Sequence, residues 1–134
     1  FQGSIGIAQM DKVDEIHVKR RNSKKVIGKM LEEILDVQVP KELPKAETSW
    51  FGTPIICKDK QYKDKLVSHL EKHKIQTRNY FAGNILLHPG YSNLGDWGDY
   101  EHSNEVLNKV LFIGAAPHYT EEVFDYIEKV LKDF

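Results

Sequence analysis

The sequence predicts an α+β fold in which a long N-terminal helix is followed by a small three-stranded sheet covered by helices. Three observations carry that expectation. Apolar residues recur at helical intervals from Ile5 to Leu35, three later runs are rich in β-branched and aromatic residues, and the stretches between and after those runs carry helical stripes.

In chain order, the first helical pattern is marked by Met10, Val13 and Ile16, then by Val26, Ile27, Met30, Leu31, Ile34 and Leu35. It reads as one helix or two joined by a bend. Its polar centre, HVKRRNSKK from His17 to Lys25, reads as solvated helix surface rather than a nucleic-acid patch, because Asp11, Asp14, Glu15, Glu32 and Glu33 flank it with compensating charge. The segment VQVPKELPKAETS, with Pro40 and Pro44 and no periodicity, reads as an extended connector.

WFGTPIICK, from Trp50 to Lys58, reads as a strand in which Pro54 suits an edge position or a bulge. Asp59 is a cap for a helix striped by Tyr62, Leu66, Val67 and Leu70 and reaching about Lys74. Ile75 to Phe81 returns to a strand, whose alternation places Gln76, Arg78 and Tyr80 on one face and Ile75, Thr77, Asn79 and Phe81 on the other. The run PGYSNLGDWGDYEH, Pro89 to His102, is a long loop and so a candidate for function. A short helix around Asn104 to Lys109 precedes the strand VLFIGAAP. Thr120, with Glu121 and Glu122, opens a last helix whose buried stripe is Val123, Ile127, Val130 and Leu131.

Three segments follow from this reading. Residues 1–3, FQG, look like the remnant of a cleaved expression tag, residues 4–36 form a long linking helix, and residues 37–134 form a C-terminal small α/β domain. A chain that opens in mid-helix reads as a piece of a larger protein, with part of that helix packed on something else.

With 134 residues, 40% of them hydrophobic, the chain can bury one ordinary core. Nineteen Lys and Arg against 20 Asp and Glu leave a net charge of −1, so bulk charge argues for neither a nucleic-acid partner nor an anionic membrane surface. Cys57 is the single cysteine, which excludes an internal disulfide and a multi-cysteine metal site. No signal peptide or apolar run of spanning length is visible, and the expected location is cytoplasmic.

Self-contained chemistry is hard to find. His69 and His73 share a helix face at zinc-ligand spacing, but Leu70 stands where a metalloprotease needs glutamate and no third ligand is evident. His88, Asp96, Asp99, His102 and His118 match no metal-site spacing, and GYSNLG around Ser92 does not fit the GxSxG elbow. Cys57, in an apolar strand, reads as an inert buried thiol.

The stretch TRNYFAGNILLHPGY, Thr77 to Tyr91, is the exception. Arg78 has an aromatic neighbour in Tyr80, and the small residues of the Ala82-Gly83-Asn84 step allow a tight turn and close approach. A guanidinium so placed suits a carboxylate or phosphate ligand. It equally suits a salt bridge to a neighbouring glutamate, with His88 merely packing beside Pro89, and the residues alone leave both open.

Taken together, IGIAQMDKVDEI followed by KRR, then SWFGTPI, LVSHLEKHKIQTRNYFAGNILLHP and LFIGAAPHYTEEVFDYI resemble, in this order, the C-terminal part of the DegT/DnrJ/EryC1/StrS sugar aminotransferase family. The TR, FAGN and HP steps look most like its nucleotide-sugar 3-dehydratase branch. The resemblance implies the small C-terminal domain of a homodimeric enzyme dependent on pyridoxal or pyridoxamine phosphate. Such enzymes remove the 3-hydroxyl of a CDP- or GDP-linked 4-keto-6-deoxy sugar in deoxysugar and lipopolysaccharide biosynthesis. In the dehydratases a histidine replaces the lysine that sibling aminotransferases keep, and that position, with the cofactor domain, would precede this chain.

By the same resemblance, Arg78, Tyr80, Phe81, Asn84 and His88 face the substrate cleft. Arg78 would supply charge, Asn84 and His88 hydrogen bonds, and Tyr80 or Phe81 an apolar wall. Leu87 departs from the basic or polar residue common among relatives, which bears on sugar identity. No catalytic residue, metal or bound cofactor is expected in this stretch of chain alone. The competing readings are a nucleotide-sugar aminotransferase and a free-standing interaction module.

Overall fold

A computed structural model describes residues 1–134, and its mixed helix and sheet content is that of the expected α+β class. The structure refines or departs from the expectation in four places, the first by choosing the two-helix form of the N-terminal pattern.

The N-terminal helical pattern forms two helices, α1 over Gln2–Met10 and α2 over Val13–Ile34, parted at Asp11 and Lys12. α1 buries no residue, and Ile5, Ile7 and Met10 stand exposed. α2 instead turns Ser23, Ile27, Gly28 and Leu31 inward, the i, i+4, i+5, i+8 stripe of an amphipathic helix.

The sheet has four strands, not three. They run in the order β1-β2-β4-β3, all antiparallel: β1 is Val37–Gln38, β2 Gly52–Cys57, β3 Thr77–Asn79 and β4 Val110–Gly114. The added strand lies in what reads as connector, because two residues are too few to show alternation; Val37 pairs with Cys57 and Gln38 with Ile56. Since β1 reaches only these two positions, β2 has a neighbour on one side alone at Pro54, the edge-like setting that proline tolerates.

The third difference is that the strand expected over Ile75 to Phe81 contracts to Thr77–Asn79. Lys74 and Phe81, at φ 62° and 53°, hold left-handed backbone on either side of it and break the extension. The fourth concerns caps. α3, Lys60–Lys72, is capped as expected, with Asp59 accepting from the Tyr62 N–H at 2.7 Å. Thr120 occupies the cap position of α5, Glu121–Lys132, but its hydroxyl makes no capping hydrogen bond, so Glu121 and Glu122 alone complement the dipole there.

One apolar core joins these elements. Ile27 and Leu31 of α2 meet Ile55 and Cys57 of β2, Leu66 and Leu70 of α3, Leu111 and Ile113 of β4, and Ile127, Val130 and Leu131 of α5. Each such side chain contributes about 1.5–3 kcal/mol by leaving water. Lys63 is the buried cation of α3. Its ammonium donates to Asn79 Oδ1 at 2.9 Å and to the Leu107 carbonyl at 2.7 Å, tying α3 to β3 and to α4, Glu101–Lys109. Burial lowers its pKa, and these two acceptors supply the contacts a buried ammonium requires.

Candidate functional site

The residues that alternate away from the core on β4 and β3 carry a different chemistry. Leu111 and Ile113 are buried, whereas Phe112 between them is half-buried and lies opposite Arg78 across the β3–β4 ladder. Four aromatic rings gather there. Phe51 meets Phe112 edge-on with centroids 5.4 Å apart and Phe81 at 6.3 Å; Tyr80 meets Phe81 at 5.0 Å and Phe112 at 6.4 Å. Edge-to-face geometry of this kind is the favoured arrangement of aromatic quadrupoles.

Strict strand alternation would have sent Phe81 to the face opposite Tyr80. The left-handed turn at Phe81 instead returns its ring to the same cluster, where it remains 67% exposed. The turn continues through Gly83, at φ 62°, where a Cβ would lie 2.7 Å from the Leu107 side chain.

Arg78 is exposed and enters no ion pair. A carboxylate that feels it, Glu71, is committed elsewhere: it accepts from the Thr77 N–H at 2.6 Å and the Thr77 hydroxyl at 2.7 Å. Those hydrogen bonds hold the Glu71 carboxyl below the ordinary carboxylate range, with the Arg78 charge adding to them. Of the two readings left open by the residues, the intramolecular salt bridge is therefore not the one formed.

Arg78 and Phe112 also line a groove of about 410 Å³ that includes Lys74, Tyr119 and Tyr126. The Tyr126 hydroxyl donates to the His73 carbonyl at 2.9 Å. Burial raises the Tyr119 phenol above its ordinary pKa, keeping it neutral. A Cβ at Gly114 would lie 2.8 Å from the Tyr119 oxygen, so the strand end must be glycine for that ring to sit where it does. Two unpaired cations beside aromatic walls can hold an anion attached to a flat or apolar group. They supply no acid–base pair.

The remaining expected site residues are placed differently. Asn84 is buried, 3% exposed, and its amide is committed to the fold: Nδ2 donates to the Trp97 carbonyl at 3.0 Å and to Asn104 Oδ1 at 2.8 Å, while Oδ1 accepts from the Leu86 N–H at 3.1 Å. It pins the loop that follows rather than presenting free hydrogen-bonding groups. His88 is exposed in that loop, with Nε2 3.2 Å from the Ala82 carbonyl oxygen. Phe51 and Phe112 are the residues missed from sequence. Phe112 was legible by its period-2 offset from Leu111 and Ile113, but the juxtaposition with Phe51 follows only from strand order.

The histidine pair at the C-terminal end of α3, His69 and the capping His73, is likewise structural. His69 Nε2 lies 2.8 Å from the Val130 carbonyl oxygen and His73 Nδ1 2.9 Å from that of His69, and no group of three or more His, Cys, Asp or Glu could hold a metal ion. Cys57 is buried, and desolvation raises its thiol to about 11. No helix is long and apolar enough to cross a membrane.

The profile of the DegT/DnrJ/EryC1/StrS aminotransferase family matches residues 1–132. The chain belongs to that family. Within it, the whole chain is 29% identical over 139 residues to the lipopolysaccharide biosynthesis protein RfbH of Salmonella typhimurium, covering 32% of it. It is 27% identical over 140 residues to the dTDP-4-dehydro-2,6-dideoxy-D-glucose 3-dehydratase of Saccharopolyspora spinosa, covering 30% of that protein. Among solved structures, the Escherichia coli GDP-4-keto-6-deoxy-D-mannose-3-dehydratase with bound hydrated pyridoxal phosphate superposes with a TM-score of 0.80 at 25% identity, over 97% of this chain and 34% of that one. The chain thus spans about a third of the length of these relatives.

The residues of this chain do not by themselves fit pyridoxal phosphate. The buried amine, Lys63, is held by two oxygen acceptors, and Lys74 and Arg78 offer two cationic side chains on an open groove rather than an enclosed phosphate cradle.

Proposed function

We propose that this chain is the substrate-facing C-terminal part of a longer, homodimeric, pyridoxal- or pyridoxamine-phosphate-dependent nucleotide-sugar 3-dehydratase, with the cofactor held by residues outside it. The observation that carries the reading is an exposed guanidinium, Arg78, with no carboxylate partner and a four-ring aromatic cluster beside it. A nucleotide-linked 4-keto-6-deoxy sugar has the matching parts. Its diphosphate pairs with the planar fork of Arg78, and its apolar or aromatic faces lie against Tyr80, Phe81 and Phe112. His88 donates or accepts a hydrogen bond from the same loop. Asn84 acts through its neighbours, as a positioning residue that keeps Phe81 and His88 in place.

Dehydration is preferred over amino transfer because the Saccharopolyspora spinosa and Escherichia coli relatives are both described as 3-dehydratases. The aminotransferase reading rests on the family's own description. The test is to express the full reading frame, supply GDP- and CDP-linked 4-keto-6-deoxyhexose with the cofactor, an amino-acid amino donor and a two-electron reductant, and identify the product. Loss of the 3-hydroxyl is the expected outcome. A product in which nitrogen has replaced the 4-keto oxygen would select the aminotransferase, and an unchanged sugar would overturn both. Arg78→Ala should raise KM more than it lowers kcat.

A further inference from the structure

A second groove, of about 700 Å³, lies between α2 and the connector after β1 and shares no residue with the aromatic site. Arg21, Lys24, Lys25 and Lys29 fall at i, i+3, i+4 and i+8 of α2 and so lie along one side of the helix. Lys41, Glu42 and Trp50 line the same groove from the connector.

Its carboxylates are already committed. Glu42 accepts from Arg21 Nη2 at 3.2 Å, the Thr48 N–H at 3.0 Å and Trp50 Nε1 at 3.1 Å, and the Thr48 contact leads in holding its carboxyl below the ordinary range. Glu32 accepts from the Val39 N–H at 3.3 Å, and Glu33 faces Lys29 at 3.7 Å. Five cations stand against these three acids. Lys25 and Lys41 enter no ion pair.

Two further observations describe the inner wall of the groove. Arg21 Nη1 is buried and has no hydrogen-bond partner, although Nη2 of the same guanidinium holds Glu42. An orphaned buried donor is costly, and more so on a charged group. The Lys24 ammonium is partly desolvated, donating to the Pro40 carbonyl at 2.8 Å and lying 4.9 Å from the centre of the Trp50 ring. Desolvation lowers its pKa; Glu42 and Glu32 oppose that shift, and Lys41 reinforces it. A multivalent anion would relieve the cation repulsion.

We propose that this groove binds a small phosphate-bearing anion of at least two charges, held at the surface by Lys25, Lys29 and Lys41. The site is independent of the sugar-enzyme reading and would survive its failure.

The test uses inorganic pyrophosphate, titrated at constant ionic strength into the isotope-labelled 134-residue chain while the Trp50 indole N–H signal is followed. A saturable shift is expected. A Lys25→Glu/Lys41→Glu double variant should weaken binding about tenfold or more, since each reversal turns an attraction into a repulsion. Both lysines are exposed, so its circular dichroism and unfolding midpoint should match the parent's. A drift that never saturates, an equal shift with chloride in place of pyrophosphate, or undiminished affinity in the folded double variant would each overturn the proposal.

Discussion

The core between the sheet and its helices and the loop after β3 hold their shape by different means. In the core, Ile55, Leu111, Leu66, Leu70, Ile27 and Leu31 are fully buried, and shape follows from packed volume. In residues 82–100, large apolar side chains are instead turned outward, Ile85, Leu87, Tyr91, Leu94, Trp97 and Tyr100 among them. There the conformation rests on hydrogen bonds, those of the one buried amide, Asn84, and of Ser92, Asp96 and Asn104 among them, and on the left-handed Gly83. A packed core fails globally when cut, whereas a loop pinned by a few hydrogen bonds fails locally, leaving the fold beneath intact.

Four substitutions or titrations can break that contrast. The largest effect should come from Leu111→Ala, which empties volume at the centre of the sheet and should cost about 2–5 kcal/mol in denaturant unfolding. A loss below 1 kcal/mol would mean that the core is not closely packed.

The second is a pH effect on the same core. The Cys57 thiol rises from about 9 to about 11 on folding, because desolvation disfavours the thiolate. Its contribution is therefore fully present below pH ~9, where the thiol is neutral in both states, and is lost as pH rises toward ~11, where the unfolded chain ionises first. Two units bound the loss at about 2.7 kcal/mol. Cys57→Ala should flatten this part of the stability profile, and a thiol reagent at pH 8 should label the native chain far more slowly than the unfolded one. Equal labelling rates would contradict the burial.

Third, Asn84→Ala strands Asn104 Oδ1 and the Leu86 N–H, leaves the Trp97 carbonyl only its bond from Asn104 Nδ2, and should cost about 1–2 kcal/mol. The signature is regional: amide hydrogen exchange should accelerate over residues 85–100 while protection in β2 and β4 stays unchanged. Uniform acceleration would place Asn84 in the global core instead.

The smallest effect sharpens the comparison from the other side. Arg78 is exposed and unpaired, so Arg78→Ala should change stability by less than about 0.5 kcal/mol while impairing ligand binding by the full-length protein. A large stability loss would mean that the guanidinium serves the fold.

Legibility in the sequence tracks this same division. The Asp59 cap, the α5 stripe and the apolar residues of β2 and β4 could be read directly, because each depends on near neighbours along the chain. Arg78 and Tyr80 could be picked as candidates by residue type and alternation. Strand β1 could not be read, since two residues carry no period, and neither could the side to which Phe81 turns, since one positive φ reverses it. Asn84 was legible as a polar residue in a tight turn, but whether its amide points outward or inward depends on where Trp97 and Asn104 arrive, 13 and 20 residues later.

The sequence by itself determined the α+β class, most element positions, the single inert cysteine, the lack of a metal-ligand pattern and the family resemblance, all consequences of residue type and short-range spacing. Tertiary structure alone decided that Phe51, Tyr80, Phe81 and Phe112 form one cluster, that Arg78 keeps its charge free while Glu71 turns to Thr77, and that Arg21 and Lys24 share a groove with the connector. The reason is physical. Strand order and helix packing bring together residues far apart in sequence, and whether a polar group is satisfied or left waiting is settled only when its distant neighbours arrive.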